Sequence, residues 1–292
     1  MIISRLIGGL GNQMFQYATG FALACRIRQM HGLDVSDFEN YHLHQGFELE
    51  RVFTITSKLA DKGQVSDLLG WRKGKRTKRV LSLPLFKGLR GCRFLVEPHF
   101  NYWVGMSSLK GDKYLSGYWQ SERYFLDVQE RIRKEFSFKK PLEGVIAQLA
   151  NAMGNATSVS VHVRRGDYLT NPQNHGLMYV AEPAYYQAAI SHIVDIVKKP
   201  EFYVFSDDIA WTKENIVFDY PCTYISHNSR SDSYIDMQLM SKCQNHIIAN
   251  STFSWWGAWL NPCRKKIVIA PKLWFRNGLP DQDLIPSDWT RL

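Results

Sequence analysis

Hydrophobic and polar residues alternate most clearly in Ser158–Val163, where valine occupies every second position between serine and histidine. A period of two is typical of a strand with one buried face. Arg164, Arg165, Gly166 and Asp167 follow this strand directly. Because ligands of open α/β sheets bind beyond the carboxyl ends of the strands, the pattern predicts a binding turn here.

The arginine pair of this turn suits a diphosphate, since a guanidinium binds phosphate oxygens bidentately and stays charged. A solvated surface ion pair is the alternative interpretation. A second predicted strand, Glu201–Phe205, leads to Asp207 and Asp208. These carboxylates are expected either to accept hydrogen bonds from a guanine edge or to cap the following helix. His246–Ala249, a third, leads to hydroxyls that suit phosphate at a helix N-terminus. These hydroxyl residues are Ser251, Thr252 and Ser254.

The chain begins with another strand, turn and helix. Ile2–Leu6 is predicted to be a strand, a Gly-Gly-Leu-Gly turn follows, and apolar residues recur at helical spacing from Met14 onward. This order is typical of the first βα unit of a Rossmann-like domain. The turn fits neither the dinucleotide fingerprint nor a Walker A loop. Gly11, Asn12 and Gln13 would let a ligand approach the backbone and bind amides, although a tight structural turn explains them equally well.

Aromatic and polar residues are interleaved between Tyr114 and Phe125. A sugar stacks its apolar face on rings while its hydroxyls bind amides and carboxylates, so this pattern favours a sugar site. An aromatic corner of the core is the competing interpretation.

Length and composition indicate two domains with sizeable cores, because the chain has 292 residues and 45% of them are hydrophobic. No apolar run is long enough for a membrane span or a signal peptide. Five cysteines without close pairs argue against a disulfide framework and against a zinc site. We therefore expect a cytoplasmic protein with reduced thiols.

The net charge of +9 comes from residues 72–93, which contain nine bases and no acid, while the remainder carries 27 of each. The segment also carries leucine, valine and phenylalanine, which favours peripheral contact with an anionic membrane. A solvated linker and an acidic glycan ligand stay open as alternatives, whereas nucleic acid is disfavoured because no nucleic-acid module accompanies the segment. Pro84 should interrupt any single helix, and His31–Arg93 as a whole is predicted to be irregular, with insertions and short helices.

Four motifs stand in order along the chain: Gly8-Gly-Leu-Gly-Asn-Gln-Met-Phe-Gln-Tyr-Ala18, Gly117-Tyr-Trp-Gln-Ser-Glu122, His162-Val-Arg-Arg-Gly-Asp167 and Asn250-Ser-Thr-Phe-Ser-Trp-Trp-Gly257. Together they resemble the bacterial α-1,2-fucosyltransferases of glycosyltransferase family 11. The His-x-Arg-Arg-x-Asp element also looks like that of α-1,6- and protein O-fucosyltransferases, so it indicates GDP-fucose use more firmly than acceptor choice.

The resemblance implies a GT-B-like α/β fold with two Rossmann-like domains facing across a cleft. Residues 1–141 would form the acceptor-side domain and residues 142–292 the GDP-fucose-binding domain. The implied reaction moves L-fucose from GDP-β-L-fucose to the 2-hydroxyl of a galactoside with inversion and without a metal or other cofactor. Asp207-Asp208 is not the Asp-x-Asp metal motif, and Asp281-Gln282-Asp283 is treated as a chance match.

By the same resemblance, Arg164 binds the β-phosphate, Arg165 supports it and Asp167 holds the arginine in place. The residues expected at the nucleotide are His162 and one of Asp207 and Asp208 at guanine, and Ser251, Thr252 and Ser254 at the phosphates. Gly11, Asn12 and Gln13 are expected to line the cleft from the other domain. The general base is undecided among Glu122, His42, His44 and Glu48, and a dissociative path would need little help from a base.

The expected acceptor is a galactose-terminated glycan, either an O-antigen or capsule unit on a lipid carrier or a free oligosaccharide. Three alternatives stay open: a fucosyltransferase of different linkage, a non-catalytic glycan-binding protein, and a metal-dependent GT-A transferase.

Overall fold

A computed structural model of the chain describes residues 1–40, 45–171, 176–226 and 232–292. His42 and His44, two of the candidate bases, lie outside the described residues. The chain forms two compact units. Unit 1 consists of Met1–Lys139 and Gln282–Leu284, and unit 2 consists of Lys140–Asp281 and Ile285–Leu292. The predicted boundary between residues 141 and 142 lies two residues after the boundary between the units, and Gln282–Leu284 of the tail belong to unit 1.

Unit 1 is built on a five-stranded sheet in the order β3-β2-β1-β5-β4, with every neighbouring pair parallel. The strands are β1 Ile2–Arg5, β2 His31–Asp34, β3 Lys58–Leu59, β4 Phe94–Val96 and β5 Lys113–Ser116. The helices are α1 Leu10–Arg26, α2 Leu49–Val52, α3 Lys62–Leu69, α4 Lys75–Leu81 and α5 Gln129–Glu135. Shorter 3₁₀ turns occupy Ser36–Asn40, Gly70–Lys73, Pro84–Leu89, Val104–Ser108, Glu122–Tyr124 and Leu126–Val128.

Unit 2 is built on a six-stranded sheet in the order β11-β10-β9-β6-β7-β8, again with every neighbouring pair parallel. The strands are β6 Ser158–Val163, β7 Glu201–Ser206, β8 Cys222–Ile225, β9 Asn245–Ile247, β10 Val268–Ala270 and β11 Thr290–Arg291. The helices are α6 Gly144–Asn155, α7 Gly166–Thr170, α8 Pro183–Ile196, α9 Ile209–Asn215, α10 Tyr234–Met240 and α11 Thr252–Leu260.

The central strand β6 is buried on both faces, so the prediction of one exposed face was wrong. Its valines pack into the core under α8, and helices also cover the opposite face. The two serines are tolerated because they are hydrogen-bonded: the Ser160 hydroxyl lies 2.8 Å from Nδ1 of His246, and Ser158 donates to the Met153 carbonyl at 2.6 Å.

The basic segment forms short helices, as predicted, and one of its bases anchors it to the sheet. Nζ of Lys78, on α4, lies 3.0 Å from Oδ2 of Asp34 and 3.0 Å from the Tyr114 hydroxyl, with all three side chains buried. A separate 3₁₀ turn follows α4 and begins at Pro84. This agrees with the prediction that Pro84 interrupts any single helix through the segment, because proline cannot continue a helix. In the described part of the chain, no helix is long and apolar enough to cross a bilayer.

Candidate functional site

The carboxyl end of β6 carries a braced arginine. Arg164 forms ion pairs with Asp167 at 2.6 Å and with Asp207, just beyond β7, at 3.1 Å. Burial disfavours a charged guanidinium, but the two carboxylates outweigh that effect and raise the pKa of Arg164 above its ordinary value. Arg164 is therefore a fixed cation at the centre of the sheet edge, and the expected bracing by Asp167 has a direct geometric basis.

Asp207 shapes the turn that follows Arg164. Its carboxylate accepts the backbone N–H groups of Arg165 at 2.9 Å and Gly166 at 3.1 Å, besides pairing with Arg164. These three bonds direct the carboxylate at the arginine turn, whereas the sequence analysis had considered it for the guanine edge.

Arg165 is held by α9. Its guanidinium carbon lies 3.6 Å from the centre of the Trp211 ring, and its Nε lies 3.4 Å from the Asp208 carboxylate. Asp208 accepts the N–H of Trp211 at 3.1 Å and so caps α9, as the capping alternative predicted.

His162 lies on β6, two residues before Arg164, and has a polar atom without a partner among the described residues. The side chain is buried, and its Nδ1 has no hydrogen-bond partner among the described residues. Burial, with a smaller contribution from Arg164, lowers the pKa of His162 to about 3, so the imidazole is neutral. A buried polar atom without a partner calls for a ligand or water, which agrees with the predicted nucleotide contact.

The hydroxyl groups of the residues that follow β9 already have partners within the protein, so they are less available to a ligand than predicted. Ser251 caps α11 by accepting the N–H of Phe253 at 3.3 Å. Ser254 is buried, and its hydroxyl lies 3.3 Å from the Ser251 carbonyl. The phosphate contact of Ser254 stays a prediction, and its hydroxyl already has a partner inside the helix. Thr252 is half-buried at the start of α11.

Unit 1 presents a second polar edge, at the carboxyl ends of β1, β4 and β5. Asn12 accepts a hydrogen bond from Nε2 of Gln120 at 2.8 Å. Gln13 is fully buried, and its amide binds the carbonyls of Gly8 and Gly46 and the N–H of Glu48. These bonds favour the structural-turn interpretation for Gln13, whose contact with a ligand stays a prediction. Gly11 is buried within α1.

The candidate bases have different surroundings. Glu122 begins the 3₁₀ turn after the Gly117–Gln120 motif and is half-buried. Its carboxylate interacts electrostatically with Arg133. Glu48 is buried and pairs with Arg51 at 2.8 Å, which keeps its carboxylate occupied.

Sequence reasoning missed Glu97, which follows β4 and lies on the same edge as Asn12 and Gln120. Its position directly after a strand was the available signal.

The acidic residues of the tail are paired with arginines. Asp281 lies 2.9 Å from Arg291, and Asp283 lies 2.5 Å from Arg123. Among the described residues, no group of three or more histidine, cysteine, aspartate or glutamate side chains is arranged to hold a metal ion.

A parallel sheet whose central strand ends in a braced arginine pair defines a class of α/β proteins that bind a phosphorylated ligand beyond the strand ends. The sequence matches the profile of glycosyl transferase family 11 over residues 103–292. It is 36% identical to an α-1,2-colitosyltransferase of Escherichia coli over 100% of this chain and 99% of that protein. The chain belongs to glycosyltransferase family 11 and is a sugar-transferring enzyme.

Two other curated relatives agree with this assignment. WbnK, an O-antigen biosynthesis glycosyltransferase of Escherichia coli, is 35% identical over 99% of both chains. Human galactoside α-(1,2)-fucosyltransferase 1 is 29% identical over 87% of this chain and 63% of that protein.

Solved structures support the fold. The fucosyltransferase NodZ from Bradyrhizobium matches with a TM-score of 0.57 at 13% identity, covering 89% of this chain and 92% of that one. Arabidopsis thaliana FUT1 in complex with GDP matches with a TM-score of 0.53 at 13% identity, covering 98% of this chain and 74% of that one. The predicted GT-B-like class, with two parallel-sheet α/β domains, is confirmed.

Proposed function

We propose that this enzyme transfers L-fucose from GDP-β-L-fucose to the 2-hydroxyl of a galactoside, with inversion at the anomeric carbon. The observation that carries the proposal is the end of β6, where Arg164 and Arg165 follow the strand directly and are each held by a carboxylate, and where His162 of the same strand has an Nδ1 without a hydrogen-bond partner among the described residues. The tip offers two cations to a diphosphate and a neutral imidazole to the rest of the nucleotide. The relatives named for α-1,2 transfer support the linkage.

In the proposed step, the acceptor oxygen bonds to the anomeric carbon from the face opposite GDP. The bond from that carbon to the β-phosphate oxygen breaks, and its electron pair leaves with GDP. Arg164 and Arg165 stabilise the negative charge that develops on the diphosphate. The acceptor proton passes to a base, for which Glu122 is our first candidate, or to water.

This assignment gives the guanidinium groups the charge-neutralising role that a divalent ion has in other transferases. We therefore infer that no metal is required. Initial rates in EDTA equal to those with added magnesium or manganese would agree, whereas activity abolished by EDTA and restored by either ion would contradict the inference.

The direct test is incubation of the purified enzyme with GDP-fucose and lactose, followed by linkage analysis of the product. Fucose on the 2-hydroxyl of galactose is the expected product, and another linkage would contradict the regiochemistry. Glycan binding without any affinity for GDP would instead identify a glycan-binding protein. GDP-colitose belongs in the same assay because of the colitosyltransferase relative. Colitose lacks one hydroxyl of fucose, and a site that hydrogen-bonds this hydroxyl strongly rejects the deoxy sugar.

We also propose that the basic segment, residues 72–93, attaches the enzyme to an anionic membrane together with the adjoining Trp71, and that a lipid-linked glycan serves as acceptor there. Large apolar side chains in and beside this segment are exposed, with Trp71 at 61%, Leu83 at 54% and Leu85 at 86%. Lysines and arginines surround them, and the described part of the segment contains no acid. Apolar side chains among bases suit the boundary between acyl chains and anionic headgroups.

The fold reduces the number of bases available for that contact. Lys78 is buried against Asp34, and Arg90 donates to the carbonyls of Leu81, Ser82 and Leu83 at the end of α4. Co-sedimentation with phosphatidylglycerol vesicles at low and high salt tests the proposal. Binding that salt weakens is expected, and no binding at low salt would overturn it. A cytoplasmic, peripheral location belongs to the same proposal.

A further inference from the structure

The carboxylate of Glu97 binds the backbone of the turn that follows β5. Its Oε2 accepts the N–H of Tyr118 at 2.6 Å, and its Oε1 accepts the N–H of Trp119 at 2.9 Å. Its own N–H donates to the Ser116 carbonyl at 2.9 Å, which continues the pairing of β4 with β5. One side chain therefore ties the ends of two neighbouring strands together.

The turn that Glu97 holds is strained and tightly fitted. Trp119 has φ +55°, a left-handed conformation that costs a non-glycine residue about 1–3 kcal/mol. A Cβ on Gly117 would lie 2.4 Å from the Cβ of Glu97 and 2.7 Å from its Oε2, so the carboxylate fits only over a glycine. The Trp119 indole is buried and packs edge-on against Tyr124.

The turn places two groups that suit a sugar at the sheet edge. Tyr118 is 40% exposed, which leaves part of its ring available for stacking. Gln120 donates to Asn12 at 2.8 Å, so the turn also sets the position of the polar side chain at the start of α1. A shift at Trp119 would move both groups at once.

The carboxylate of Glu97 has no cationic partner among the described residues. The ionisable groups that interact electrostatically with Glu97 are the hydroxyls of Tyr118 and Tyr124. Burial raises the pKa of both tyrosines, so both hydroxyls stay neutral at working pH. Arg5 acts on Tyr118 but forms its ion pair with Asp37. Burial raises the pKa of Glu97 itself to about 7, although the two backbone N–H groups oppose the shift.

We propose that Glu97 is a positioning residue for the acceptor sugar, whose ionised carboxylate holds the Gly117–Gln120 turn in the form that binds the galactoside. A protonated carboxyl keeps only one good acceptor for the two N–H groups, so the turn loosens as the pH falls. The inference rests on the proposed function, because the inference places the acceptor of that reaction at this edge of unit 1.

The test measures initial rates with GDP-fucose and lactose across pH for the wild type, Glu97→Gln and the control Glu130→Gln, an exposed glutamate of α5. In Glu97→Gln we expect the KM for lactose to rise about tenfold, because the side-chain amide has a single oxygen and one of the two backbone N–H groups loses its acceptor. The Kd for GDP should not change. The wild-type kcat/KM for lactose should fall below about pH 7, and this acid limb should disappear in Glu97→Gln while Glu130→Gln keeps it.

Amide hydrogen exchange gives a readout that does not depend on fucose transfer. The amides of Tyr118 and Trp119 should be protected in the wild type and lose protection in Glu97→Gln, while β5 stays protected. If the wild type transfers no fucose to lactose, the proposed function fails, and loss of these two protections still shows that Glu97 holds the turn. Unchanged protection, or a lactose KM that does not vary with pH in the wild type, would overturn the inference. The wild-type arm needs no variant to fold.

Discussion

The backbone N–H of Gly166 donates to Oδ2 of Asp207 at 3.1 Å, and a Cβ at position 166 would lie 2.8 Å from that same oxygen. The hydrogen bond from Gly166 to Asp207 therefore requires a residue without a Cβ at position 166. Because the Asp207 carboxylate also binds Arg164 and the N–H of Arg165, the geometry of the whole β6 tip depends on a glycine at this position.

Gly166→Ala should therefore weaken GDP binding without unfolding the protein. The added methyl displaces Asp207, and the loss of one charge-assisted bond corresponds to about a tenfold rise in the Kd for GDP. Calorimetric titration with GDP measures it. Gly154→Ala is the matched control, because a Cβ at Gly154 on α6 meets nothing within 4 Å. Equal GDP affinity in both variants would contradict this account of the tip.

Arg164→Lys should reduce kcat/KM by at least about a hundredfold, although the charge is kept. Separate nitrogens of Arg164 bind Asp167 and Asp207, and an ammonium point charge cannot reproduce this fork and also bind phosphate. Steady-state kinetics with GDP-fucose measures the loss, and Arg264→Lys at an exposed position is the control. Near-normal turnover in Arg164→Lys would mean that the diphosphate binds elsewhere.

Strong periodicity made the strands that carry the site predictable. Alternating valines identify β6, and the glycine turn with a helical period after it identifies β1 and α1. β2 was missed because His31–Asp34 contains Gly32 and shows no alternation. β8 was missed because it lies at the sheet edge and is only partly buried.

The site was predictable in position more than in role. Strand ends indicated Arg164, Asp207 and Ser254, but the sequence does not state which polar atoms the fold uses internally. Asp207 binds the arginine turn, because backbone N–H groups near the start of α7 need partners, while the Ser254 hydroxyl donates to a carbonyl of its own helix start. Glu97 was missed because its function depends on a contact with Tyr118, 21 residues further along the chain.

The buried histidines of unit 2 should make it sensitive to acid. Burial lowers the pKa of both His162 and His246 to about 3. In the unfolded chain each takes up a proton below about pH 6.5, so the unfolded state binds more protons between about pH 6.5 and 3. These two histidines should therefore lower the free energy of unfolding as the pH drops through this window, contributing a limiting slope of about 2.7 kcal/mol per pH unit for two protons.

Tryptophan fluorescence during denaturant unfolding at several pH values measures this slope, since Trp255, Trp256 and Trp259 all lie in unit 2. His246→Asn should make the slope shallower by removing one of the two protons, whereas His99→Gln, at an exposed position, should not change it. A free energy of unfolding that does not vary between pH 6.5 and 4 would contradict the neutral state of both rings.

Leu85→Ser should weaken binding to phosphatidylglycerol vesicles by about tenfold, because a leucine side chain moved from water into an apolar environment contributes about 1.5–3 kcal/mol. Leu85 is 86% exposed, so the change removes apolar area without touching the core, and circular dichroism should match the wild type. Val145→Ser is the control, since Val145 is 68% exposed but lies outside the basic segment. Vesicle binding by Leu85→Ser equal to that of Val145→Ser would show that residue 85 does not enter the membrane. High salt should reduce binding of all three proteins, because the surrounding lysines and arginines attract the anionic headgroups through water.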